Sequence, residues 1–223
     1  IMGLPIATCE NLQAMAGDLT ETYCLTDDVD CSDIADFASI EGEFTGRLLG
    51  FGYTISGFES SGTGLFVLLN GEVRDLNLSD VFIFDGADTG VDNVGTIAGS
   101  AGDEVHIEAV HVSGRLERTF EGEDTTLGGL VGRMTTTCSV VEASFTGQLS
   151  SEAISTGGLI GRASQDDLTD GDCTVSDGHV DATITGTSSV GGILGTGGDR
   201  IEYSSFTGEI RSTGSIGGIT GAF

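Results

Sequence analysis

The sequence predicts an all-β protein, a right-handed parallel β-helix (β-solenoid) of about six coils, with an N-terminal cap that contains one short helix. Three observations predict it. A glycine-bracketed apolar tetrad returns six times, and an alternating strand-like segment sits at a fixed place between copies. No interval carries a helix-period pattern of useful length.

The tetrad reads Thr63-Gly64-Leu65-Phe66-Val67, Gly95-Thr96-Ile97-Ala98-Gly99, Gly128-Gly129-Leu130-Val131-Gly132, Gly157-Gly158-Leu159-Ile160-Gly161, Gly191-Gly192-Ile193-Leu194-Gly195 and Gly217-Gly218-Ile219-Thr220-Gly221. Copies start 26 to 34 residues apart. Such a period marks stacked supersecondary units, none of which can bury its apolar side alone. Stacking predicts one interior column from Leu130, Leu159, Ile193 and Ile219.

The second element alternates and ends in glycine. Examples are Val112-Ser113-Gly114, Ser144-Phe145-Thr146-Gly147, Thr183-Ile184-Thr185-Gly186 and Ser205-Phe206-Thr207-Gly208. Alternation puts Val112, Phe145, Ile184 and Phe206 on one face and their Ser/Thr neighbours on the other. Each repeat thus supplies at least two short strands, joined at glycines where positive φ is expected.

Residues 1–40 read differently and are assigned to an N-terminal cap; 41–223 form one continuous repeat domain. Thr8 suits an N-cap and Gly17 a helix end, which predicts a helix between them. Tyr23-Cys24-Leu25 and Val29 read as a first strand, and 34–40 as a connector.

The tetrads, each followed by a strand bearing Ser-Phe-Thr-Gly, resemble the GLUG-motif repeats of large bacterial and archaeal surface proteins. These include adhesins and non-catalytic regions of some secreted peptidases. Phe44-Thr45-Gly46-Arg47-Leu48-Leu49-Gly50-Phe51-Gly52-Tyr53-Thr54-Ile55-Ser56-Gly57 is similar to the segment that leads into such repeats, with Leu49 where Asp is usual. The resemblance covers roughly residues 20 to 223. It implies a surface β-solenoid and transfers no catalytic residue.

Thirty-five acidic residues face eight arginines and no lysine, a net charge of −27. That density repels nucleic acid and anionic membrane surfaces and suits cations or a high-salt medium. No stretch has the ~18–20 apolar residues a membrane helix needs. The Ile1 start, without a basic leader, reads as an exported chain whose signal is gone, located outside the cell or on its surface.

Five cysteines sharpen this reading. Adjacent coils stack about 4.8 Å apart, so a Cys138–Cys173 coil-to-coil bridge is feasible. Cys9, Cys24 and Cys31 lie in the cap and cannot all pair internally, leaving one for an intermolecular bridge or a free thiol. No Cys-x-x-Cys pair or neighbouring histidine supports zinc.

Two acidic clusters are weighed as cation sites: Asp27, Asp28, Asp30 and Asp33 in the cap, and Asp166, Asp167, Asp170 and Asp172 in the longest insert. The second is the candidate calcium site, although neither has EF-hand spacing. No other cofactor is implied. Ser144-x-Thr146, Thr183-x-Thr185 and Ser205-x-Thr207 predict a two-column hydroxyl array across three coils, suited to ice or glycan.

Enzymatic readings fare worse on residue grounds. Arginines are scattered, and Arg133 and Arg162, each directly after a tetrad, suggest pairing with stacked acids. His106 and His111 fall on opposite faces of one strand by alternation, and His179 lies apart. There is no Gly-x-Ser-x-Gly elbow or phosphate loop. The expectation is a non-enzymatic structural or adhesive building block of a sheath, filament, surface layer or stalk, self-associating through its uncapped last coil. An ice- or glycan-binding module is the alternative, with a polysaccharide-active enzyme as a remote one.

Overall fold

In a computed structural model, described for residues 3–85, 92–120, 122, 124–135, 137–163, 173–198 and 200–222, the chain is all-β apart from one short helical segment. Its strands form three sheets, all paired in parallel.

One layer shows the plan. Thr126–Gly128 lies in the five-stranded sheet, and Val131–Met134 follows in the seven-stranded sheet. Cys138–Val141 and Ser144–Ser151 then cross the fourteen-stranded sheet, and Ser155–Gly157 returns to the first. Each strand pairs with its counterpart one repeat later, as Gly128 with Gly157 and Gly157 with Gly191. Pairing at this interval makes the protein solenoid-like.

The tetrad turns the chain between the two smaller sheets. Backbone bonds run up this corner: Leu130 N to Leu159 O, Leu159 N to Ile193 O, and Ile193 N to Ile219 O, each 2.9 Å. Leu130, Leu159 and Ile193 are buried, while Ile219 in the last layer is 38% exposed. Glycine is required here for space rather than for φ. Of the tetrad glycines only Gly64 has positive φ, which corrects the expectation that they turn through the left-handed region. A Cβ on Gly157 would overlap the Ile160 carbonyl oxygen, and one on Gly158 would overlap that of Gly192 in the next layer.

Apolar columns set the register of the large sheet. Val112, Phe145, Val180 and Phe206 are partners, as are Leu116, Leu149, Ile184 and Ile210. Burying each such side chain is worth about 1.5–3 kcal/mol. Keeping both columns filled places Gly147 inside the strand Ser144–Ser151, so the strand does not end at its glycine.

In the cap, Thr8 accepts the Asn11 N–H at 3.3 Å and starts a helix, Cys9–Gln13, that continues as a 3₁₀ turn, Ala14–Gly17. Leu12 and Met15 are buried beneath it. Strands Leu4–Ile6, Thr22–Leu25 and Val29–Asp30 already join the large sheet. Disulfides link Cys9 to Cys31 and Cys138 to Cys173, with Cα separations of 5.2 and 4.5 Å. Cys24 is free and buried.

A buried ion pair lies at the end of the two longest strands, Glu72–Asp85 and Val105–Arg118. Arg118 Nη1 is 3.0 Å from Asp85 Oδ2, with side-chain exposures of 0% and 1%. Burial pulls the guanidinium pKa down, opposed by Asp85 and Asp92.

Two substitutions test this account by chemical denaturation. Gly158→Ala should destabilise by about 1–3 kcal/mol through overpacking. Gly218→Ala, at the same motif position with nothing within 4 Å of its Cβ, should stay within about 0.5 kcal/mol. Asp85→Asn, which removes the charged acceptor 3.0 Å from the buried guanidinium, should cost about 1–3 kcal/mol.

Candidate functional site

The large sheet bends at a second kind of corner. Asp75, Ala109, Glu142, Asp177 and Tyr203 all have φ between 50° and 54°, and the registers on either side stack them in one column. The left-handed residue resets alternation, so apolar residues three apart both point inward. Val73 and Leu76, Ile107 and Val110, and Val140 and Ala143 are such pairs, all buried.

This reset moves the histidines. His106 lies between buried Val105 and Ile107, and His111 between buried Val110 and Val112. Both therefore face outward, contrary to strict alternation. Register places Asn77, His111, Ser144, His179 and Ser205 in one outer row. Within it His111 Nδ1 is 2.9 Å from Ser144 Oγ, and His179 Nδ1 is 2.9 Å from Ser205 Oγ.

At the N-terminal end of the column, Phe51 (φ 52°) and Gly52 (φ 82°) take the corner position. Gly52 N donates to Asp75 O at 2.7 Å, and Asn77 Nδ2 donates to Gly52 O at 2.9 Å. Gly52 has no side chain and Ala109 only a methyl, so a depression of about 400 Å³ opens there. Phe51, Gly52, Asp75, Asn77, Ala109 and His111 line it. This is the candidate site.

Before the corner, the same face carries a charge network across three layers. Arg47 Nε lies 3.1 Å from Glu72, and Arg74 contacts Glu72 and, at 3.2 Å, Glu108. His106 Nε2 is 3.1 Å from Glu108. The His106 hydrogen bond first, then Arg74, hold the Glu108 carboxyl below the ordinary glutamate range. Sequence reading missed this network because its members are neighbours only once register is known.

The predicted hydroxyl array is corrected by register. Ser144 stacks with His179 and Ser205, and Thr146 with Asp181 and Thr207. Thr183 and Thr185 lie four residues further along, opposite Gln148 and Glu209, and Ser150 and Arg211. The Val180 and Ile184 columns decide this, so no continuous two-column array forms. Arg162 meets Asp124 at 3.2 Å, whereas Arg133 registers opposite Arg162.

Asp166, Asp167, Asp170 and Asp172 lie outside the described residues. In the cap, Asp28 Oδ1 accepts the Thr54 N–H at 2.8 Å and Asp30 Oδ1 accepts that of Ser32 at 2.9 Å. The Ser32 backbone bond is the main cause of a lowered Asp30 pKa. These carboxylates hold turns. Among the described residues, no group of three or more His, Cys, Asp or Glu could hold a metal ion.

A family model described as the M26 IgA1-specific metallo-endopeptidase N-terminal region matches residues 9–114. An immunoglobulin A1 protease of Streptococcus pneumoniae is 26% identical over 247 positions, covering 92% of this chain. The chain spans 12% of that relative's length. A solved IgA1 protease structure overlaps 97% of the chain with a TM-score of 0.71 and 25% identity, and the chain covers 17% of it. A Bacteroides ovatus protein described provisionally as an immunoglobulin A1 protease shares the fold, with a TM-score of 0.64 at 16% identity over 94% of this chain and 77% of that one.

These similarities correct the GLUG-repeat surface-protein resemblance and the expectation of a non-enzymatic structural or adhesive building block. The ice- or glycan-binding and polysaccharide-active alternatives fall with it. Two of these three relatives are named outright as proteases. The tetrad reports a corner where backbones nearly touch, and a corner says nothing about activity.

The corner column is testable by thermal unfolding. Glu142→Gly should be neutral or mildly stabilising, because glycine adopts positive φ freely. Glu142→Ile, with a β-branched side chain in the left-handed region, should cost about 1–2 kcal/mol.

Proposed function

We propose that this chain is part of a secreted metallo-endopeptidase that cleaves immunoglobulin A1, within that enzyme's N-terminal region. The observation that carries the reading is the overlap of 97% of the chain with an IgA1 protease at a TM-score of 0.71. The family match over residues 9–114 supports it.

In this reading the chain is a right-handed β-helix of about six coils, since parallel crossovers are right-handed in nearly all cases. Residues 1–40 cap it and 41–223 carry the repeats. Two disulfides suit an oxidising, extracellular setting. Among the described residues no helix is long and apolar enough to cross a membrane.

A metallo-endopeptidase uses a metal ion as Lewis acid and to activate water. The described residues do not fit that group, having no cluster of three ligands. Their contribution is positional: the stacked layers hold an outer face rigid, so that a protein substrate meets fixed side chains.

The test uses the full protein carrying this chain. Incubation with immunoglobulin A1 should give discrete fragments, a metal chelator should abolish them, and immunoglobulin G should stay intact. Uncut immunoglobulin A1, or cleavage indifferent to chelation, overturns the proposal.

A further inference from the structure

We propose that the depression at the second corner binds the guanidinium of an arginine presented by an extended basic protein segment. This inference rests on the site's own chemistry and holds whichever substrate the protein cleaves.

Phe51 supplies the apolar wall. It is 61% exposed, and at φ 52° it occupies a conformation unusual for a bulky residue. Gly52 N to Asp75 O (2.7 Å) and Tyr53 N to Gly50 O (3.0 Å) hold it there. The left-handed conformation belongs to the corner, and the turn it makes leaves the ring open to solvent beside the depression. A guanidinium stacks on such a face through cation–π attraction.

The polar complement is rich in acceptors. The Asp75 carboxylate is exposed and has no hydrogen bond or ion pair among the described residues. Neighbouring Arg74 is taken up by Glu72 and Glu108. Asn77 commits its Nδ2 to Gly52 O, which leaves its Oδ1 to accept. His111 is oriented by Ser144 and forms the far wall. A ligand group that only donates fits this set, and guanidinium carries five N–H donors and no acceptor.

Charge complementarity selects the partner. With a net charge of −27 and no lysine, the chain attracts basic segments and repels acidic ones. A lysine ammonium would satisfy Asp75 but lacks a planar face to lie on Phe51.

The experiment is a ¹H–¹⁵N titration of the full chain with a capped Gly-Arg-Gly peptide, alongside capped Gly-Lys-Gly and Gly-Gln-Gly. Saturable shifts should centre on Gly52, Asp75, Asn77, Ala109 and His111 for the arginine peptide, with weaker lysine response and none for glutamine. Asp75→Asn keeps a residue tolerant of the left-handed region, so the fold should persist while binding weakens about tenfold or more, as expected for a lost charge-assisted pair. Phe51→Ala should weaken it several-fold. Shifts spread over the acidic surface, equal response to glutamine or lysine, or unchanged affinity in Asp75→Asn each overturn the proposal. Immunoglobulin A1 cleavage is a separate readout, so either result stands without the other.

Discussion

The structure depends on how closely one backbone approaches the next at the tetrad corner. No room exists for a methyl group between Gly157 and the Ile160 carbonyl, or between Gly158 and the Gly192 carbonyl above it. This contact lets the chain turn from the five-stranded to the seven-stranded sheet within two residues, while Leu159 still bonds to Ile193 and Leu130. A wider corner would break that ladder and misalign every strand after it. The apolar columns then lock the register, because a one-residue slip would expose Phe145, Leu149 and Ile184 together.

The second corner does different work. A left-handed residue between inward pairs such as Ile107 and Val110 changes which side chains face solvent for the rest of the strand. It brings His106 and His111 to one side and lines up Asn77, His111, Ser144, His179 and Ser205. The tetrad corner is built mostly of glycine, with Thr63, Val67 and Thr96 as exceptions in the first two copies. This one accepts Asp, Ala, Glu and Tyr, so it is where the solenoid varies its surface without altering its core. Ala109 beside Gly52 is the variation that leaves a hollow.

Much of the parallel, layered fold was legible in the sequence because the tetrad repeats in residue type as well as spacing. Leu130, Leu159 and Ile193 could be placed in one column from that alone. The hydroxyl array failed on a subtler point. Thr183-Ile184-Thr185-Gly186 resembles Phe145-Thr146-Gly147 in letters, yet Ile184 pairs with Leu149, and Val180 with Phe145. The signal was present as two apolar residues four apart in every copy. The corner was likewise visible as apolar residues three apart in Val73-x-x-Leu76 and Ile107-x-x-Val110, a spacing a continuous strand cannot bury on one face. Biological role was not legible. The tetrad and the strand pattern encode backbone approach and burial, which proteins of different function can share.

The chain's charge has two separate consequences. Inside, Asp85 and Arg118 tie the ends of the two longest strands, where desolvation makes loss of either member costly. Outside, Arg47 and Arg74 pair with Glu72 and Glu108 on one stretch of the large sheet, where His106 also contacts Glu108. Past the corner at Asp75 this network ends, and Arg115 with Glu117 and Arg211 with Glu209 form separate pairs further along the same sheet. The hollow beside Phe51 lies between these paired stretches, and among the described residues the Asp75 carboxylate belongs to none of their ion pairs. Long-range attraction would bring a basic segment toward the face as a whole. At the hollow it meets an aromatic ring and an uncommitted carboxylate together, so attraction over distance and recognition at contact coincide there.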